Sequence, residues 1–165
     1  MEPETEETFE KRKKFLGHIS YELKNMRECY FILKSSNPGP IIEVAPNLLI
    51  VAFSTHARNL IEFFKKEPDR KDERSDPARA VHYAPNLTAE EAKKICPEID
   101  DWYKALCNHL SHLDYSRNED TSSPFKIAYP IYSALKKILI QFKKYIEPQY
   151  KSSQLMELIK VMEQE

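Results

Sequence analysis

Only two glycines, Gly17 and Gly39, occur in 165 residues, and that scarcity restricts the fold more than any other feature. Hairpins, phosphate-binding loops and dinucleotide folds need glycine where the backbone turns tightly or approaches a ligand. Charged residues make up 31% of the chain and fall mostly between apolar positions at helical spacing. The sequence therefore predicts an all-α protein. A single domain over residues 1–165 is long enough to bury a core without disulfide or metal staples.

Phe15, Ile19, Leu23, Met26, Tyr30 and Leu33 alternate at intervals of four and three. That stripe predicts one long amphipathic helix from about Phe9 to about Lys34, after a disordered acidic lead at 1–8. Ser35 to Pro40 ends it, since proline cannot donate in a helix. A second helix is expected from about Pro46 to about Lys66, with Leu49, Phe53, Leu60 and Phe63 on one face and His56 among them. Residues 67–97 turn to charge and proline and predict a long connection. Thr88-Ala89-Glu90-Glu91 has the form of a capping box, so a short helix interrupts it.

A third helix is expected from near Glu98 to near Arg117, carrying Trp102, Leu106, Leu110 and Leu113. A fourth runs from about Pro130 to about Ile146, and Pro148 stops it. Leu155, Leu158, Ile159 and Met162 mark a short closing helix. The expected architecture is an antiparallel bundle of about four long helices plus a short C-terminal helix.

The formal net charge is −1, so no overall field draws nucleic acid or a membrane to the chain. Lysine pairs at Lys65-Lys66, Lys136-Lys137 and Lys143-Lys144 read as solvated helix faces. Cys29, Cys96 and Cys107 have no metal-type spacing and fit a reducing, cytoplasmic setting. The N-terminus is acidic, unlike a signal peptide. The longest apolar run, Leu48 to Phe53, is too short to span a bilayer.

Chemistry has two candidate seats, the segments His56–Phe64 and Cys107–Asp114. Helical advance of about 100° per residue puts His109 inside the apolar stripe of Trp102, Leu106 and Leu113. His112 falls at its border, in a polar column with Asp101 and Asn108. His56 reads as packed, Arg58 as a partner for Glu62 four residues on, and Asn59 as an amide that needs a specific partner. A metal site would need carboxylates on facing helices. The second helix offers only Glu62, so no metal and no cofactor are expected.

Segment 107–114 resembles the signature of the HEPN superfamily, helical bundles in which an arginine precedes a histidine by a few residues. In abortive-infection relatives the pattern is arginine-asparagine-lysine, two variable positions, alanine, histidine. Setting His112 on that histidine puts Ser111 on the alanine, Asn108 on the lysine, Cys107 on the asparagine and Leu106 on the arginine. The chain also resembles uncharacterised prokaryotic proteins that pair a His-Ala-Arg-Asn-Leu helix with a later Asn-Lys-x-x-Ala-His-Leu helix, and His56-Ala57-Arg58-Asn59-Leu60 matches the first directly. The resemblance implies metal-independent RNA cleavage by a homodimer within a defence or toxin–antitoxin system. It makes His112 the acid/base, Asn108 its orienting residue and Arg58 the cation, with His56, Asn59 and Arg117 as substrate contacts. Leu106 cannot stabilise an anion, so the family's arginine must be replaced by Arg58 or Arg117. The alternative is a non-enzymatic helical module that dimerises through its first and fourth helices.

Overall fold

The computed structural model describes residues 5–35, 44–65, 79–111 and 124–165. The first helix, α1, spans Glu6–Ser35. Thr5 caps it, its Oγ1 accepting from Thr8 N at 3.3 Å. Glu6 and Glu7 in the first turn and Lys34 in the last complement the helix dipole. Leu16, Ile19, Leu23, Met26, Tyr30 and Leu33 are its buried stripe. Phe15 lies half-buried at the edge of that stripe and packs on Phe63 with ring centroids 6.2 Å apart.

That contact, with Glu22 beside His56 further along, runs α2 (Val44–Lys65) antiparallel to α1. A 3-10 turn at Ala80–His82 leads to α3 (Ala89–Ile95). Thr88 caps α3 as its sequence implies, accepting from Glu91 N at 3.2 Å. Then follow α4 (Ile99–Ser111), α5 (Pro124–Tyr145), a 3-10 turn at Pro148–Tyr150 and α6 (Ser153–Gln164). Six α-helices and no strand occur among the described residues. The protein is all-α, with its helices packed against one another.

One helix boundary needs correction. The helix expected to start at Pro130 starts at Pro124, and Pro130 lies inside it. Proline suits the first helical position because its missing N–H is unpaired there anyway. Pro130 costs one internal hydrogen bond, which the buried stripe Ala128, Ile131, Leu135, Ile138, Leu139 and Phe142 outweighs. Of the connection expected over 67–97, the described residues 79–97 pack on the core and carry the expected short helix. Ala80, Tyr83, Ala84 and Leu87 are buried, Glu147 N donates to Tyr83 O at 2.8 Å, and the Tyr83 hydroxyl donates to Arg12 O at 3.1 Å. The expected third-helix residues beyond Ser111, and the 1–4 part of the N-terminal lead, lie outside the described residues.

One apolar core joins all these elements. Tyr30 of α1 stacks on Tyr132 of α5 with centroids 3.9 Å apart and planes within 3°. Phe63 and Phe64 both meet Phe142 edge-on. α6 docks on α1 and α5, where Glu165 receives Arg27 and the Tyr132 hydroxyl, and Glu163 receives Lys143. Among the described residues, no helix is long and apolar enough to cross a membrane.

Candidate functional site

Glu22 of α1 is the hub of a polar cluster. Its Oε2 lies 2.6 Å from His56 Nδ1, and its Oε1 accepts a 3.2 Å hydrogen bond from Asn59 Nδ2. His56 and Asn59 are three residues apart, so both fall on the flank of α2 that faces α1. The two side chains are largely shielded, at 16% and 19% exposure, and the Tyr21 ring stands edge-on to the imidazole at 5.8 Å. Asn59 thus has the specific partner its place on an apolar helix demands. With Nδ1 held by the carboxylate, Nε2 is the ring nitrogen left for other contacts.

Arg58 stands apart from that cluster, about 200° round the helix from His56. Its flank carries Ile61 and Lys65, and both meet α4. Lys65 Nζ lies 2.9 Å from Asp100 Oδ1 and 4.1 Å from the centre of the Tyr103 ring, while Ile61 lines a small apolar void with Ile99 and Trp102. From that anchor α4 runs back along α2. Arg58 lies seven residues before Lys65, about 10 Å along the axis, and so stands level with the last turns of α4. Those turns contain Cys107 and Asn108.

The expected Arg58–Glu62 pair does not form. Glu62 lies 4.0 Å from Arg79 Nη1 instead, and an arginine placed N-terminal to a carboxylate at this spacing is the weaker order. Arg58 is half-buried, and its Nε is sealed from solvent with no hydrogen-bond partner. A buried charged donor left in that state costs more than the ~1–3 kcal/mol of a neutral one. Asn108 belongs to α4, but its side chain, like that of His109, lies outside the described part; His112 and Arg117 lie outside the described residues altogether. The structure therefore brings His56 and Asn59 together and puts Arg58 on the opposite flank.

A third feature escapes sequence reasoning. A cleft of about 280 Å³ opens between α3, α4 and α5, lined by Trp102, Tyr129, Pro130, Ser133 and Ala134 together with Glu98 and Lys137. Cys96 also borders it, but is only 3% exposed. Burial pushes its thiol above the ordinary range, and the Glu98 carboxylate adds to that; both disfavour the reactive thiolate. The sequence signal was faint: a lone tryptophan and a proline, each readable as core or helix start. Among the described residues, no group of three or more histidine, cysteine or acidic side chains could hold a metal ion.

No protein-family model, no curated protein and no solved structure matches this chain.

Proposed function

We propose that this bundle is an RNA-directed protein of HEPN-like type. In this reading Arg58 binds the phosphodiester and the α4 segment leading to His112 supplies the acid/base chemistry. The observation that carries it is Arg58, half-buried on the same flank of α2 as Ile61 and Lys65, with its Nε unpartnered. A fixed cation of that kind fits a phosphate bidentately and gains most where water is excluded.

In the proposed reaction His112 takes the proton of the ribose 2′-hydroxyl, and the 2′-oxygen attacks phosphorus. The bond to the 5′-oxygen breaks, and the proton passes to that leaving oxygen, giving a 2′,3′-cyclic phosphate and a 5′-hydroxyl. Arg58 steadies the extra negative charge of the pentacoordinate state. Asn108 orients the imidazole, and Arg117 adds a second cation for the neighbouring phosphate. His56 and Asn59, held by Glu22, brace α2 from its other flank and so fix where Arg58 stands. The resemblance makes the active unit a homodimer.

Incubation with RNA in excess chelator tests the reaction. Cleavage to cyclic-phosphate ends, lost in His112→Ala and Arg58→Ala and kept in Lys104→Ala, supports it. Intact RNA with the unmodified protein refutes cleavage.

A second reading, a non-enzymatic dimerisation module, draws on the outer face of α2. Leu48 is 65% exposed and Val51 38% exposed there, three residues apart. Light scattering decides: a strict monomer at working concentration removes this reading.

A further inference from the structure

We infer that the cleft between α3, α4 and α5 is a nucleobase subsite whose chemistry suits guanine. The choice of an RNA base over other planar ligands rests on the RNA-directed reading. The cleft's own residues define the ligand's shape and polarity.

A volume of about 280 Å³ lies just below the range of about 300–1,000 Å³ for small-molecule sites. It admits one ring system. Trp102 is half-buried and Tyr129 is 56% exposed, and both line the cleft. Two aromatic side chains in the lining of one cleft offer stacking surface to a base, as single-strand binding surfaces do. Pro130 and Ala134 add apolar lining, and the Ser133 hydroxyl offers one more donor or acceptor to a ligand's polar edge.

Glu98 and Lys137 set the polarity. Among the described residues neither has an ion-pair partner, although both line the same small cleft. A simple anion would be repelled by one and a simple cation by the other. A planar ligand that carries donors and acceptors satisfies both. Guanine presents adjacent N1–H and N2 amino donors, which suit a carboxylate, and O6 and N7 acceptors, which a lysine reads. Uracil offers a single ring donor and leaves the carboxylate half-used.

Trp102 is the only tryptophan in the chain, so its emission reports this cleft directly. The 165-residue chain is titrated with guanosine, adenosine, cytidine and uridine monophosphates, with excitation beyond nucleotide absorption. The expected result is saturable quenching, with guanosine tighter than uridine by at least about tenfold. Tyr129→Ala weakens every nucleotide. Glu98→Gln keeps its circular dichroism and quenching but loses the guanine preference. Absent saturation, or equal affinity for all four that Glu98→Gln leaves unchanged, overturns the assignment. Because mononucleotide binding needs neither Arg58 nor cleavage, the two readings fail separately. RNA binding through Arg58 without quenching sinks the subsite alone, and guanosine binding without RNA binding or cleavage sinks the RNA reading alone.

Discussion

His56 Nδ1 stands 2.6 Å from Glu22 Oε2, and through this contact the central part of α2 is tied to α1. The second carboxylate oxygen takes the Asn59 amide, so one acidic side chain satisfies two polar groups at the edge of an apolar interface. Glu22→Ala strands both. The expected destabilisation is about 1–3 kcal/mol, read as a lowered thermal midpoint. A double-mutant cycle with His56→Ala should return a coupling of about 0.5–3 kcal/mol; additive effects would mean that the pair contributes nothing.

Asp100 governs the acid side of stability at the α2–α4 junction. Hydrogen bonds from Lys93 and Lys65 hold its carboxyl down at about 2, below the ordinary aspartate value of about 3.9. A depressed carboxylate stabilises the fold fully above its unfolded value and loses that contribution as pH falls through its folded value. The window is therefore about pH 4 down to about pH 2. The side chain is 39% exposed, so solvent screening limits the effect to under about 1 kcal/mol. Thermal midpoints of wild type and Asp100→Asn, measured from neutral pH downward, should differ above pH 4 and converge near pH 2. A gap that persists undiminished at pH 2 would contradict this assignment.

Tyr132 governs the alkaline side. Burial first, then its hydrogen bond to Glu165, push its phenol well above the usual tyrosine value. A raised value means that the neutral phenol stabilises the fold below its unfolded value, about 10. That contribution is lost as pH rises through the folded value. In an alkaline absorbance titration of the nine tyrosines, Tyr132→Phe should leave the early steps intact and remove only amplitude that appears on unfolding. Loss of an early step would show that Tyr132 ionises in the native fold.

Core and surface positions of like chemistry separate cleanly. Phe142 is fully buried between Phe63 and Phe64, whereas Leu48 is largely exposed. Phe142→Ala should cost about 3–5 kcal/mol through lost contacts and a cavity, and Leu48→Ala within about 0.5 kcal/mol. Chemical denaturation measures both. A large cost at Leu48 would place it in an interface and favour the dimerisation module.

The helices were legible because their signals are local. Stripes such as Ile19, Leu23, Met26 and Tyr30 state the period directly, and Thr88 announces its cap. The start of α5 was not, because Pro124 and Pro130 are equally good openers by local rules and only packing decides between them. Sequence marked Asn59 as needing a partner but could not name Glu22, which lies 37 positions away and is set by how α1 and α2 align. It read His56 and Arg58 as members of one motif. The helix turns them to opposite flanks, and that follows from spacing once the neighbours of each flank are known. The cleft at Trp102 belongs to three helices together and has no signature in any one of them.

The RNA-directed reading is tested most directly by equilibrium binding of single-stranded RNA, in chelator, across a range of salt, for wild type and Arg58→Ala. Loss of a fixed phosphate contact should weaken binding about tenfold at low salt and make the slope of log affinity against log salt shallower by about 0.7. Identical affinities and slopes for the two proteins would contradict the role given to Arg58.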